Sequence, residues 1–497
     1  MYGDWKMGRK KRILIYNWVP FDEKEGKGGG VTVYTKNLIT YLTQLKDWEI
    51  FFLSSGRAYN RKREDIYIEK TRNCFEGKCN SYQIVNSPIL SSAHLSFPYP
   101  EDYLEDRQLK IIVGDFLRQI GQLDVIHFQN LEGISLSVLE LKQDFPLTKF
   151  VYTMHNYYPL CPQVMLWKED STDCSEKRCG EHCVSCMPTD VFKEKIIINQ
   201  QINYDIENFG IVDEGDLKEQ KRVEQYYEDL ILNGRYEIDI ERKSQLAHEF
   251  KKFRIKNIQY INVYMDQILA VSKRVLEIAV YFGIDYNKIK VSYIGTEVAY
   301  KQKGFCSAPY KREPFRICYL GYMRKVKGFY FLLDALEAIP DEIACKIAVT
   351  IAVANTDELA LKRIKYLDNK FAEIIIYKGY TNKQLSSILE NVQLGIVPSL
   401  WEDNLPQVAI EMKANGVAVL TSDLGGAKEL TTSEKFVFEA GNQADFLEKL
   451  LEFVKCPETI TEYWNNCPKL LTMQEHIDEL LESYGMKNKK YRRYENV

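Results

Sequence analysis

The stretch VQLGIVPSLWEDNLPQVAIEMKANGVAVLTSD, residues 392–423, decides the fold. It opens on a near-continuous apolar run (392–399) and closes on another (416–423). Such runs fit strands buried on both faces of a parallel sheet. Between them, Asn404 is a candidate N-cap, Pro406 suits the first turn of a helix, and Asn415-Gly416 is a stop. Strand, helix and strand in this spacing form one crossover of a doubly wound sheet.

The acidic residues are out of place in that pattern. Asp403 falls just before the helix, at the carboxyl end of a strand, where open α/β sheets bind ligands. Free amides and the helix dipole favour a phosphate there. Glu411 stands between Ile410 and Met412. At ~1.5 Å per residue it lies about 10 Å further along the axis, the step from a pyrophosphate to the far hydroxyls of its ribose. A carboxylate can accept hydrogen bonds from both hydroxyls. The plainer alternative makes Glu411 an exposed helix residue and Asp403 a second cap.

Similar apolar runs recur on either side. The first half has residues 12–19, 49–55, 124–130 and 149–155. The second has 267–272, 288–295, 315–322, 345–353 and 373–380. Helical patterns separate them, so the chain reads as two tandem doubly wound, Rossmann-like α/β domains. The expected boundaries are 1–187 for the first domain, 188–262 for a charged, strand-poor helical insertion, 263–455 for the second domain and 456–497 for a helical tail. The acidic pair Asp239 and Glu241 in the insertion reads as a solvated face.

With 497 residues, two or three domains are expected. A net charge of −4 argues against a nucleic-acid binder. No run approaches the ~18 apolar residues of a membrane span. The basic start before residue 12 precedes too short an apolar run for a signal peptide, so a cytoplasmic protein is expected. The tail KNKKYRRYENV (487–497) is either a frayed end or a contact for anionic headgroups at the inner membrane face.

Further motifs join the first. TSDLGGAKEL (421–430) places Gly425-Gly426 after a strand, where a backbone could approach a ligand closely. In LGYMRKVKGFYFLL (320–333), Lys327 and Gly328 open a helix, so a cation and helix amides could meet a diphosphate. GKGGGVTVYTKNL (26–38) puts Gly28, Gly29 and Gly30 after the first strand, without the dinucleotide G-x-G-x-x-G spacing. His155 ends a strand at the same edge of the first domain and is a candidate for catalysis or substrate orientation; His127 is a weaker one. Of 12 cysteines, Cys174, Cys179, Cys183 and Cys186 form C-x4-C-x3-C-x2-C. Four thiolates so close could hold a structural zinc, with Cys161 and His182 as spare ligands. Free thiols are the alternative.

Taken together, these motifs resemble family-4 glycosyltransferases of GT-B fold. PSLWEDNLPQVAIEMKANGVAVLTSDLGGAKEL is similar to that family's donor signature, and LGYMRKVKGFYFLLDAL to its lysine-glycine segment. The glycine-rich loop, YTMHNYYPLCP and ILAVSKRV fit as well, and the cysteine-rich stretch is similar to one in a subset of bacterial polysaccharide transferases. The resemblance implies a nucleotide-diphosphate sugar donor, a saccharide or lipid-linked acceptor on the first domain, retention of anomeric configuration and no catalytic metal. It implies that Glu411 takes the ribose and that Lys327, with Arg324, faces the diphosphate. Asp403, Asn404, Leu405 and the Gly425-Gly426 loop would orient the sugar. His155 and Gly29-Gly30 would approach from the other side. Two departures stand out: the first glutamate of E-x7-E is Asp403 here, and the usual arginine of the second motif is Tyr322. An epimerase of the same fold and a decayed, non-catalytic scaffold are the competing readings.

Overall fold

A computed structural model of the chain describes residues 9–21, 29–71, 79–92, 100–168, 171–175, 180–186, 193–210, 215, 217–219, 221–222, 240–297, 313–381, 383–465 and 467–486. The basic tail, Gly28, Asp239 and Cys179 lie outside these residues.

The strands are β1 Lys11–Tyr16, β2 Trp48–Ala58, β3 Tyr67–Lys70, β4 Cys79–Val85, β5 Val125–Phe128, β6 Lys149–Met154, β7 Trp167–Lys168, β8 Thr172–Asp173, β9 Gln267–Ala270 and β10 Ile289–Val291. They continue with β11 Phe315–Gly321, β12 Ile347–Val353, β13 Glu373–Lys378, β14 Leu394–Val397, β15 Ala418–Ser422 and β16 Val437–Phe438. The helices that matter below are α1 Gly29–Leu42, α2 Lys193–Phe209, α3 Ile240–Tyr264, α4 Lys273–Phe282, α5 Phe329–Ala338, α6 Gln407–Ala414 and α7 Met473–Ser483.

Two large sheets form the expected pair of doubly wound layers. The second runs β13-β12-β11-β14-β15-β16 and is parallel throughout. Its order reverses between β11 and β14, which opens a crevice at their carboxyl ends. All seven residues of β12 are buried, as a central parallel strand requires. The first sheet runs β10-β9-β6-β5-β1-β2-β4-β3, with only β3 antiparallel. Its own reversal flanks β1, between β5 and β2.

The chain crosses between the sheets differently from the expected boundaries. β9 and β10 were assigned to the second domain, yet β9 pairs with β6 and β10 with β9 in the first sheet. An apolar run reports burial, not which sheet buries it. The stretch after residue 188 is helical where described, in α2 and α3. The tail also returns: α7, opened by a Thr472–Glu475 capping box, packs on α1. No helix among the described residues is long and apolar enough to cross a membrane.

Candidate active site

The carboxyl ends of both sheets meet at one cleft of about 580 Å³, within the usual size for a small-molecule site. From the first sheet it is lined by Gly29 and Gly30 at the start of α1 and by His155 after β6. From the second it is lined by Tyr322 after β11, by Asp403 and Asn404 after β14, and by Glu411 on α6.

The loop after β14 is tightly held. Asp403 is buried, and its Oδ2 accepts from Lys327 Nζ at 2.6 Å. The Lys327 ammonium also lies 5.0 Å from the centre of the Trp401 ring, a favourable cation–π distance. Glu402, which the motif could be taken to use instead, faces away from this pair. It accepts from Arg274 Nε and from the Gly425 amide, the latter at 2.8 Å. Glu402 therefore organises the loop, while Asp403 and Lys327 line the cleft.

Helix α6 begins later than expected. Its N-cap is Pro406 rather than Asn404. Asn404 cannot enter the helix because its carbonyl accepts from Ser272 Oγ at 2.7 Å and the Asp403 carbonyl accepts from the Gly426 amide at 2.8 Å. Asn404 Nδ2 is sealed without an acceptor. Leu405 lines the cleft. Gln407 and Val408, in the first turn of α6, line the cleft, and the leading amides of a helix lack intrahelical acceptors.

Glu411 lines the cleft beside Tyr380, and its carboxylate has no hydrogen-bonding partner among the described residues. Burial pushes its carboxyl up to about 7. An unpaired, desolvated carboxylate is costly in an empty protein and well suited to two hydroxyl donors.

Two expectations need correction. Arg324 is exposed and lies over the Tyr322 ring at 5.5 Å, outside the cleft lining; the cations that line the cleft are Lys327 and, from α1, Lys36. Gly425 and Gly426 are also absent from the lining. They are glycines because the chain packs against itself: a Cβ at Gly425 would sit 2.1 Å from the Asp403 carbonyl oxygen, and one at Gly426 2.3 Å from that of Asn404. Gly425 also has φ +69°, which side chains disfavour.

On the other wall, His155 Nε2 is 2.9 Å from Gln129 Oε1, and the Tyr34 ring packs on the imidazole with centroids 4.7 Å apart. His127 is sealed in the core, with Tyr484 Oη and Thr153 Oγ1 each at 2.7 Å, and burial pushes it down to about 3. It is a structural residue. The Gly30 carbonyl accepts from Gln407 Nε2 at 2.9 Å, which ties α1 to α6 across the cleft. Sequence reasoning missed Gln407, Trp401, Tyr34 and Gln129. Gln407 had no local signal, since its partner is 377 positions away.

The cysteines gather elsewhere. Cys161, Cys174, His182, Cys183 and Cys186 line a separate cavity of about 20 Å³. Among the described residues no three ligating side chains are arranged to hold a metal ion; Cys179, a member of the expected set, lies outside them.

Comparisons with known proteins bear on the fold. Residues 314–456 match the family model described as glycosyl transferases group 1. Comparison with curated protein sequences returns no match. Among solved structures, sucrose-phosphate synthase from Thermosynechococcus elongatus superposes with a TM-score of 0.54 at 13% identity, covering 96% of each chain. A glycosyltransferase from Rickettsia africae gives 0.53 at 14% identity, over 96% of this chain and 98% of that one. Anabaena HepE, in complex with UDP and glucose, gives 0.50 at 12% identity, over 96% and 100%. At these identities the neighbours establish the fold, which is GT-B; the match over the second sheet supports a glycosyltransferase.

Proposed function

We propose that the chain transfers a sugar from a nucleotide-diphosphate sugar to a saccharide or lipid-linked acceptor, with retention, in the synthesis of a cell-surface polysaccharide. The observation that carries this reading is the unpaired Glu411 carboxyl, raised to about 7, in the same cleft as the Lys327–Asp403 pair at the crossover of the second sheet. Glu411 takes the ribose hydroxyls. Lys327 and the first-turn amides of α6 stabilise the leaving diphosphate, where charge develops as the glycosidic bond breaks. Asp403 accepts from a sugar hydroxyl while keeping Lys327 in place. Asn404 and Leu405 border the sugar. Gly29, Gly30 and His155 close over it from the first domain, which also binds the acceptor. The Gly425-Gly426 loop acts indirectly, by clasping residues 403 and 404. No step calls for a metal, and Tyr322 leaves Lys327 as the main cation for the diphosphate. The cell-side setting is the cytoplasm, at the inner face of the membrane.

Thermal-shift screening against UDP-, GDP-, ADP- and TDP-sugars tests the donor site, because a ligand that binds the native state raises its apparent stability. One nucleotide class should raise the melting temperature, and Glu411→Ala should abolish the shift. No shift from any class would favour the scaffold reading. Conversion of the donor without an acceptor into an epimeric sugar would favour the epimerase.

A further inference from the structure

β5 and β6 pair in parallel with Phe128 beside Tyr152, so the residues leaving their carboxyl ends run side by side. Gln129 leaves β5 and is fully buried; its backbone N–H donates to the Tyr16 carbonyl at 2.9 Å, and its side-chain Nε2 has no partner among the described residues. His155 leaves β6 and reaches the cleft. Their side chains meet at 2.9 Å, Gln129 Oε1 to His155 Nε2. An amide oxygen only accepts, so this contact requires the proton on Nε2. The ring cannot readily turn away. Tyr34 packs on its face, and the Tyr34 hydroxyl is fixed by His476 Nε2 at 2.7 Å. The remaining ring nitrogen, Nδ1, has no partner among the described residues. Burial, with His476 nearby, pushes the imidazole down to about 3, so it is neutral at physiological pH.

We infer that Gln129 is a positioning residue. It locks His155 with its proton on Nε2 and so makes Nδ1 an acceptor for a hydroxyl of the sugar bound in the cleft. The tautomer of a histidine is set by the bond its other nitrogen makes, and here that bond lies on the side away from the ligand. The inference rests on reading the cleft as a donor-sugar site, but the tautomer itself does not. The titratable groups packed around the imidazole are Tyr34 of α1, His127 of β5 and His476 of α7. Glu132 Oε1 accepts from Nδ2 of Asn156, the residue after His155, at 3.0 Å.

Long-range nitrogen–proton NMR on histidine-labelled protein reads the tautomer directly. The chain has six histidines, and His155→Ala assigns the signal. In the wild type the proton should be on Nε2, and a bound nucleotide sugar should shift Nδ1. Gln129→Leu should populate both tautomers and lower kcat for donor hydrolysis about two- to tenfold, the worth of one misdirected neutral hydrogen bond. Gln129→Glu should favour the imidazolium and add an acid limb to kcat at saturating donor, absent in the wild type above its His155 pKa of about 3. A merely structural glutamine would give no new limb. A proton on Nδ1 in the wild type would overturn the inference, as would a Gln129→Leu protein that keeps both the wild-type tautomer and kcat. If Gln129→Glu does not fold, the wild-type tautomer still decides. A nucleotide sugar that stabilises the protein without moving Nδ1 would overturn the sugar contact alone; no binding by any nucleotide sugar would instead count against the donor site.

Discussion

The second sheet is drawn from one uninterrupted span of chain, β11 to β16, whereas the first takes β1 to β6, then β9 and β10, and is finally covered by α7 from near the chain end. The difference separates two ways of building a wall of the same cleft. On the second-sheet wall, the Asp403 side chain is held by Lys327 and its carbonyl by the Gly426 amide, both from its own span, while Ser272, just after β9 of the first sheet, also holds the Asn404 carbonyl. On the other wall, the stack that holds His155 runs through Tyr34 to His476, so it depends on a helix that arrives more than 300 residues later. Changes on the donor side should therefore act on nucleotide binding and chemistry. Changes on the other side should act on stability and turnover while leaving nucleotide affinity in place.

The largest expected effect breaks the donor wall. Lys327→Ala should lower turnover on the order of 10²- to 10³-fold, the usual worth of one preorganised charge at a developing anion. It also strands the buried Asp403 carboxylate, so the melting temperature should fall too. Glu411→Gln comes next. It should weaken nucleotide binding about ten- to a hundredfold, as loss of a hydrogen bond to a charged acceptor does. Its effect on stability has the opposite sign. A carboxyl raised from 4.5 to about 7 on folding holds its proton more tightly in the native state, so it costs stability as pH rises through that window. The amide carries no such penalty, and the ligand-free variant should melt higher than the wild type above pH 7 and equally at pH 4. Gly425→Ala should cost about 1–3 kcal/mol through its backbone strain and should weaken donor binding by displacing Asp403. Tyr34→Phe is the smallest. It should cost about 1 kcal/mol for the lost bond to His476, with nucleotide affinity unchanged by calorimetry. A large loss of nucleotide affinity in Tyr34→Phe would erase the contrast between the walls.

The same asymmetry governs what could be read from the sequence. All eleven apolar runs became strands, because central parallel strands advertise themselves by burial on both faces. β3, β4, β7, β8 and β16 escaped notice; β3 and β16 are sheet edges, β7 and β8 are a two-residue pair, and β4 mixes polar and apolar residues as CNSYQIV. The assignment of β9 and β10 failed for another reason: sheet membership is a long-range pairing with no local mark. Asp403, Lys327 and Glu411 fall in one cleft because strand ends and helix starts place them together; their roles belong to the proposal. Arg324 misled because two positions beyond Tyr322 is a rim location, not a lining one. Gly425 and Gly426 were visible as special, but the close neighbour they make room for is the chain's own backbone rather than a ligand. Gln129 and Gln407 act through single contacts with residues distant in sequence, and nothing about a lone glutamine announces that.

The central claim is that Glu411 binds the ribose of a nucleotide from the second sheet. Calorimetric titration of the nucleoside diphosphate selected by the screen, repeated across pH with wild type and Glu411→Gln, tests it most directly. The account predicts wild-type affinity that falls as pH drops below about 7, where the carboxyl takes up its proton, and a weak, pH-independent affinity in Glu411→Gln. Equal affinities and equal pH dependence in the two proteins would contradict it.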